Sequence, residues 1–196
     1  MTGVAGLLLA AGGGSRFGMP KALAPFRDRL LVEHAAATLA DGGCDPVIVV
    51  LGAAADEVRA RADLPFLVVD NPDWATGVGS SLRVGLAALS GMTALRGATA
   101  VIVLPVDTPG ITPEAIRRLA EMATSDALAR ATYGTEAGHP VLIGRTHWAG
   151  VAAAADADEG GRAYLARHPV ALVPCDDIAD GTDADHRSEL TRFEET

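Results

Sequence analysis

The 196-residue sequence has little cysteine, little lysine and no long apolar run. Its two cysteines, Cys44 and Cys175, lack metal-ligand spacing, so we predict that both are reduced structural residues. No run approaches the roughly 18 apolar residues of a membrane span. The apolar N-terminus, residues 1–11, lacks the basic region of a secretory signal. We therefore expect a cytoplasmic protein whose first segment is a β-strand.

Positive charge is also scarce, since 16 Lys and Arg stand against 25 Asp and Glu, a net charge of −9. A duplex-DNA-binding or anionic-membrane surface needs a basic footprint, so we expect neither nucleic acid nor membrane as a partner. The charge is unevenly distributed. Residues 176–196 carry eight acids and two bases, whereas residues 1–29 carry four bases and one acid. A local binding site for a small anion is therefore compatible with the negative net charge of the chain.

Strand-like apolar runs alternate with helix-like amphipathic segments along the whole chain. Helices are predicted over residues 30–39 before Gly42-Gly43, after Ser80-Ser81, and after the capping pair Thr112-Pro113. Most strand candidates are continuous Val/Ile/Leu stretches, as in parallel strands buried on both faces. The pattern predicts one α/β domain, residues 1–196, with helices on both faces of a mostly parallel sheet. The seven strand candidates are Val4–Ala10, Pro46–Leu51, Phe66–Val69, Ala100–Leu104, Arg130–Tyr133, Pro140–Ile143 and Pro169–Val173.

The first strand runs into a glycine-rich loop, Gly12 to Gly18, in which backbone N–H groups are free to surround an anion. The dinucleotide fingerprint fails because Phe17 stands where its third glycine is needed, and the P-loop fails because Met19-Pro20 follows Gly18. The only lysine of the chain, Lys21, falls in this segment together with Arg16. Both side chains can bind phosphate oxygens, so we predict a phosphate loop. The alternative is a tight turn with surface bases.

Two further loops follow strand candidates. Residues 71–82 hold two glycines and two serines that face the same crevice, or else cap a helix that binds nothing. Within them, Trp74 could stack on a ligand ring, although a lone Trp more often packs. Asp107 lies just past a central strand, where a carboxylate needs a cation or hydrogen-bond donors. Mg²⁺ fits because it prefers oxygen ligands and bridges phosphates; the alternative is that Asp107 caps the Thr108-Pro109 turn.

These motifs resemble a known family. The run Leu9-Ala10-Ala11-Gly12-x-x-x-Ser15-Arg16-Phe17-Gly18-x-x-Lys21 resembles the signature of the MobA-like nucleotidyltransferases. Ala11 makes it most similar to their molybdenum cofactor cytidylyltransferase (MocA-type) branch, because the guanylyltransferase branch usually has glycine there. The resemblance extends in five ordered segments from Val4 to Leu190. It implies a three-layer α/β/α Rossmann-like nucleotidyltransferase fold whose N-terminal half binds nucleotide and whose C-terminal half binds the acceptor.

The resemblance also implies roles for individual residues. Gly138-His139-Pro140 and Asp158–Arg162 are similar to acceptor-side segments, and residues 181–185 are similar to an Asp-x-Asp-Thr-Pro element that returns acids to the metal. His186-Arg187 replace its Thr-Pro, so Asp183 is the expected second metal ligand and Asp185 the alternative. The implied sites are: catalysis, Lys21, Arg16 and Asp107; nucleotide, Ala10, Ala11, Gly12, Gly13, Gly14, Gly79, Ser80 and Ser81; Mg²⁺, Asp107, Asp183 and Asp185; acceptor, His139 and Arg162.

The implied reaction is transfer of a nucleoside monophosphate from a nucleoside triphosphate, with CTP favoured, to a phosphorylated molybdopterin-type acceptor. A phosphate oxygen of the acceptor attacks the α-phosphorus and pyrophosphate leaves, so no covalent nucleophile is needed. The implied partners are the triphosphate, the small acceptor, and a molybdoenzyme or its maturation chaperone. The alternatives are guanylyl or other nucleotidyl transfer to a different small phosphate, and a nucleotide-binding module without catalysis.

Overall fold

The computed structural model of the chain describes residues 3–91, 98–155 and 159–194. Asp158 of the acceptor-side motif lies outside these ranges. The strands are β1 Gly3–Ala10, β2 Pro25–Phe26, β3 Arg29–Leu30, β4 Val47–Leu51, β5 Leu67–Asp70, β6 Ala98–Pro105, β7 Leu128–Tyr133, β8 Glu136–Gly144 and β9 Ala171–Pro174. The α-helices are α1 Leu31–Asp41, α2 Ala55–Arg61, α3 Val78–Gly91, α4 Pro113–Ala120, α5 Trp148–Ala154, α6 Arg162–Leu165 and α7 Arg187–Glu194.

Seven strands form one sheet in the order β5-β4-β1-β6-β8-β7-β9. The first four are parallel, β8 runs antiparallel to both of its neighbours, and β9 is parallel to β7. The predicted three-layer α/β/α fold with a mostly parallel sheet is confirmed. From β1 the chain moves to β4 and β5 on one side, then returns to β6 on the other. The strand order therefore reverses between β1 and β6, and ligands of such sheets bind at the carboxyl ends of strands at this kind of point.

Side chains of β1 alternate between two apolar layers, one on each face of the sheet. Leu8 and Ala10 belong to the layer formed with α1, α4 and α7, whereas Leu7 and Leu9 belong to the layer formed with α3, α5 and α6. Each of these four residues is almost completely buried. Because both faces of the strand are covered, its sequence is a continuous apolar run, which explains why the run predicted a parallel strand.

The three helices that the sequence predicted, α1, α3 and α4, are present and agree with the prediction except at one start, whereas α2, α5, α6 and α7 were not predicted. Gly42 is the C-cap of α1, and Thr112 caps α4 by accepting a hydrogen bond from the backbone N–H of Ala115 at 3.3 Å. Helix α3, however, begins at Val78 and so includes the two serines that we expected to precede it. The prediction was wrong there because the two glycines of this segment suggested a loop. Gly79 is instead buried in the first turn of the helix.

Three smaller features complete the fold. Strands β2 and β3 form a two-residue hairpin around Arg27, whose φ is 53°, and strands this short leave no periodic pattern in a sequence. Cys44 and Cys175 are free and buried, as predicted. Among the residues that the structure describes, no helix is both long and apolar enough to cross a membrane.

Candidate functional site

A crevice of about 360 Å³ opens at the carboxyl ends of β1 and β6. It lies there because Leu9 of β1 pairs with Pro105 of β6, so the loops that follow the two strands leave the sheet side by side. The crevice is the one expected at the reversal of strand order. Its lining residues are Leu9, Ala11, Gly12, Gly13, Gly14, Ser15, Arg16, Lys21, Trp74, Ala75, Gly77, Val78, Ser81, Pro105, Val106, Asp107 and Asp185.

The glycine loop after β1 has a fixed conformation. Gly14 has a φ of +64°, and a Cβ atom there would lie 1.9 Å from the carbonyl oxygen of Met19. The backbone N–H of Gly18 donates to the carbonyl of Gly14 at 2.8 Å and closes the turn. A Cβ atom on Gly12 would meet nothing within 4 Å, so the crevice side of this loop is open. An anion can therefore approach the backbone of a loop whose shape is already set.

Two bases and two acids meet beside this loop. Lys21 Nζ donates to Asp107 Oδ2 at 2.9 Å and to Asp185 Oδ1 at 3.1 Å. Arg16 donates from Nη1 to Asp185 Oδ2 at 2.7 Å, and its side chain is 71% exposed against 13% for Lys21. Burial alone would lower the pKa of Lys21, but the two carboxylates outweigh it and raise that pKa above its ordinary value. Lys21 is therefore a fixed positive charge at neutral pH.

The acids reach this point from distant parts of the chain. Asp107 follows β6, and its carbonyl accepts a hydrogen bond from the N–H of Ala184 at 2.8 Å, which fixes the returning C-terminal segment. The hydrogen bond from Lys21 lowers the pKa of Asp185. Partial burial, followed by the negative charge of Asp107, raises the pKa of Asp183. Asp183 therefore lies close enough to Asp107 to sense its charge, although it does not line the crevice.

The carboxylates suit a divalent cation that arrives with a ligand. Within the described ranges, no group of three or more His, Cys, Asp or Glu side chains is arranged to hold a metal ion. The ammonium of Lys21 is hydrogen-bonded to both Asp107 and Asp185. Mg²⁺ commonly takes one or two protein carboxylates and completes its shell with water and substrate phosphates. The donor chemistry therefore fits such a shared site and not a preformed cage of protein ligands.

The first turn of α3 places only part of its predicted residues in the crevice. Ser81 lines it, whereas Ser80 and Gly79 do not. Asn71, which is 1% exposed, donates from Nδ2 to Ser80 Oγ at 2.8 Å and to Ser81 Oγ at 3.0 Å. Ser80 Oγ in turn donates to the carbonyl of Gly77 at 2.7 Å. The hydroxyl of Ser80 thus organises the start of the helix.

Ala10 is also absent from the crevice lining, because it is buried under the sheet at 1% exposure.

For Trp74 the sequence left two roles open, stacking on a ligand ring or packing against the protein. In the structure one part of the side chain packs against the protein, and another part is exposed to the crevice. Its ring lies against Gly13, its Cβ leaves no room for a side chain at Gly52, and the residue remains 37% exposed in the crevice. Asn71 begins the segment that the sequence singled out, but it was given no role there, because its bonds to two serine hydroxyls depend on how the chain folds.

The two predicted acceptor residues lie in a second cavity of about 160 Å³. This second cavity contains His139 and Arg162 and shares Leu9, Val78 and Pro105 with the crevice. Burial, which outweighs the opposing negative charge of Asp107, lowers the pKa of His139 to about 4. His139 is therefore neutral at pH 7. His139 and Arg162 therefore lie in a cavity that adjoins the crevice, and neither residue lines the crevice itself.

Together the fold and the site define an α/β protein with an open glycine loop and two bases at the reversal of strand order. Residues 6–172 match the family model described as the MobA-like NTP transferase domain. The chain belongs to the MobA-like NTP transferase family, as its motifs predicted. A relative of nearly the same length is "Nicotine blue oxidoreductase" of Paenarthrobacter nicotinovorans, 38% identical over 201 residues that cover 97% of this chain and 96% of the relative.

Solved structures agree with this family and with the fold. The crystal structure of Rv0371c from Mycobacterium tuberculosis H37Rv has a TM-score of 0.82 and 30% identity, with 100% of this chain and 98% of that chain covered. A structure of Rv0371c in complex with manganese has a TM-score of 0.77 and 27% identity, with 100% and 99% covered. A chain similar to this one thus binds a divalent metal.

Proposed function

We propose that this chain is a nucleotidyltransferase that transfers a nucleoside monophosphate from a triphosphate to a small phosphorylated acceptor and releases pyrophosphate. The observation that carries the proposal is the meeting of Lys21 and Arg16 with Asp107 and Asp185 beside the open glycine loop. Phosphoryl-type transfer needs positioning and charge neutralisation more than any covalent chemistry by the protein. Family membership supports nucleotidyl transfer as the class of reaction.

In this proposal the backbone of Gly12, Gly13 and Gly14 holds the triphosphate. Asp185 now shares its two oxygens between Lys21 and Arg16, and phosphate oxygens suit the same two donors. The side chain of Arg16 is exposed and long enough to reach and bind the β- and γ-phosphates. Lys21 is held close to Asp107 and stabilises the charge that develops on the α-phosphate.

The proposed metal is Mg²⁺, held by Asp107 and one acid of the returning C-terminal segment. Asp185 is the better candidate for that acid because it lines the crevice and Asp183 does not. When bound, the ion would neutralise charge on the transferred phosphates. The manganese complex of Rv0371c supports a divalent cation as part of this proposal.

The finer features of the reaction belong to the same proposal. CTP is favoured over GTP by Ala11, and a molybdopterin-type acceptor follows from the MocA-like motif. We also propose that the N-terminal half binds the nucleotide and the C-terminal half binds the acceptor, which the positions of the two pockets support. Except for Asp185, the crevice residues fall between 9 and 107, and most residues of the second cavity fall between 130 and 165. A cytoplasmic location and a molybdoenzyme or its chaperone as partner complete the proposal.

A second candidate function is oxidation–reduction. It is favoured by the full-length relative at 38% identity, whose name describes an oxidoreductase acting on nicotine blue. The same loop and bases would then hold the phosphates of a nicotinamide dinucleotide that supplies the electrons. The absence of the dinucleotide fingerprint at Phe17 weighs against this candidate.

A single pair of assays tests both candidates on the intact chain. Pyrophosphate release is measured with CTP, GTP, ATP and UTP, each with Mg²⁺ and with or without a molybdopterin-type phosphate. We expect release that requires the acceptor and is fastest with CTP. Oxidation of NADH or NADPH is followed in parallel with nicotine blue. Dye-dependent oxidation without pyrophosphate release would establish the second candidate, and nucleotide binding with neither reaction would indicate a module without catalysis.

A further inference from the structure

Glu189, in the first turn of helix α7, contacts the backbone of one of the crevice acids. Its Oε2 atom accepts hydrogen bonds from the backbone N–H of Asp185 at 2.7 Å and from that of His186 at 2.9 Å. Asp185 itself lines the crevice, and its carboxylate accepts hydrogen bonds from Lys21 and Arg16. Asp185 is therefore held in two ways, through its backbone by Glu189 and through its side chain by the two bases.

The bonds on the side chain of Asp185 are the ones that a bound triphosphate would replace. Under the proposed function Lys21 and Arg16 bind phosphate oxygens, and each such bond competes with a bond to Asp185. The bonds on the backbone of Asp185 involve no group that binds the ligand, so they persist when the site is loaded. The position of Asp185 in the loaded site therefore depends on its backbone contacts.

The chain on either side of Asp185 is anchored independently. Before it, Ala184 is fully buried, and its N–H donates to the carbonyl of Asp107 at 2.8 Å. After it, helix α7 is packed into the apolar layer by Leu190. Among the residues that the structure describes, Glu189 is the only acceptor that the backbone N–H of Asp185 contacts. Glu189 thus fixes the short junction between two anchored parts of the C-terminal segment.

We propose that Glu189 is a positioning residue, which keeps the carboxylate of Asp185 at the crevice when the triphosphate and its divalent cation bind. This inference rests on the proposed function for the identity of those ligands. Glu189 does not line the crevice, so it acts through Asp185 alone. A carboxylate suits this task because its hydrogen bonds to backbone N–H groups at the start of a helix are charge-assisted. A metal ligand that is already held in place needs less ordering when the cation binds.

The first measurement is the affinity of the intact chain for Mn²⁺ with saturating CTP and no acceptor, by electron paramagnetic resonance of the free ion. We expect Glu189→Ala to weaken Mn²⁺ binding about tenfold, the lower end of the loss that removing the partner of a metal ligand causes. Glu189→Gln should stay within about threefold of wild type, because its amide oxygen still accepts the hydrogen bonds and only the charge is lost. Glu194→Ala is the matched control, an exposed glutamate at the end of the same helix.

A second measurement needs no ligand, because Lys21 is the only lysine of the chain. Protein isotopically labelled at lysine Cε gives a single lysine NMR signal, and Asp185→Ala defines its position when the contact at 3.1 Å is lost. At fixed pH, we expect Glu189→Ala to move the signal part of the way to that position, since Asp185 then contacts Lys21 for only part of the time. Glu189→Gln and Glu194→Ala should leave the signal unmoved.

Equal Mn²⁺ affinity of wild type and Glu189→Ala would overturn the proposal. A lower unfolding temperature with both readouts unchanged would overturn it as well, since Glu189 would then only cap the helix. Glu189→Asp, whose carboxylate is one methylene shorter, is measured in the same way in case Glu189→Ala does not fold. If the chain binds no Mn²⁺ with CTP, the proposed function fails and the Lys21 signal alone decides. A shift toward the position for Asp185→Ala then supports the positioning role, and an unmoved signal overturns it.

Discussion

At the scale of single residues, Lys21 is the side chain on which the proposed chemistry depends most. Its ammonium is 13% exposed and held by two carboxylates, so it needs no reorganisation to stabilise a developing negative charge. Removing one such preorganised donor usually costs about 10²–10³ in rate. The carboxylates left behind are 27% and 36% exposed and can be hydrated, so the fold should persist.

Lys21→Ala is therefore expected to abolish measurable nucleotidyl transfer while the unfolding temperature stays close to that of wild type. Pyrophosphate release and a circular dichroism melt measure the two quantities. Arg29→Ala is the control, because Arg29 belongs to the same basic N-terminal segment but pairs with Asp28 at the surface. Near-normal turnover of Lys21→Ala would refute the assignment of this crevice.

Gly14 is the loop position where a side chain is excluded on two grounds. Its φ of +64° disfavours any Cβ atom, and that atom would overlap the carbonyl of Met19. Gly14→Ala should destabilise the protein by more than about 1 kcal/mol and weaken triphosphate binding, because the loop must change shape. Chemical denaturation and a CTP titration measure these effects. Gly91→Ala is the control, since a Cβ atom there meets nothing within 4 Å; equal behaviour of the two variants would show that the loop is not preformed.

His139 predicts a specific dependence of stability on pH. Burial holds its pKa near 4 in the folded chain, against an ordinary value of 6.5. The unfolded chain therefore binds a proton first as the pH falls, and folding becomes less favourable between pH 6.5 and pH 4, by about 2–3 kcal/mol in total. His139→Gln should remove this part of the acid sensitivity. Denaturation at pH 7, 5.5 and 4 tests it, and parallel pH profiles of the variant and wild type would contradict it.

At the scale of secondary structure elements, burial decides what the sequence could reveal. Strands β1, β4 and β6 are covered on both faces, so their apolar runs predicted them directly. The same runs carry no information on direction, so the antiparallel placement of β8 could not be predicted. The start of α3 was missed for a related reason. Its position depends on tertiary hydrogen bonds from Asn71, which no local pattern of glycine and serine encodes.

Asn71 should therefore matter for the start of α3, whose two serine hydroxyls it contacts. Asn71→Ala removes hydrogen bonds to two buried serine hydroxyls and should cost about 1–3 kcal/mol of stability. It should also weaken nucleotide binding, because Ser81 and Gly77 line the crevice. Thr76→Ala is the matched control, since its exposed hydroxyl bonds within the same loop. An Asn71→Ala variant as stable as the control would show that the serines find other partners.

At the scale of the whole molecule, the distribution of charge matters more than the net value of −9. The acidic C-terminal segment crosses back over the sheet edge, where Ala184 binds the carbonyl of Asp107 and Asp180 binds that of Gly110. Asp185 thereby reaches Lys21 and Arg16, more than 160 positions away in the chain. The sequence identified both ends of this contact, but the choice between Asp183 and Asp185 depends on the path of the segment through space.

The two acids can be separated by their effect on metal dependence. Asp185 lines the crevice and contacts the same ammonium as Asp107, so Asp185→Asn should raise the Mg²⁺ concentration for half-maximal pyrophosphate release about tenfold or more. Asp183→Asn should have a smaller effect. Asp177→Asn is the control, because that acid of the same segment pairs with Arg118 at the surface. If Asp183→Asn shifts the Mg²⁺ requirement more than Asp185→Asn does, the segment must rearrange when the triphosphate binds, and Asp183 becomes the second metal ligand.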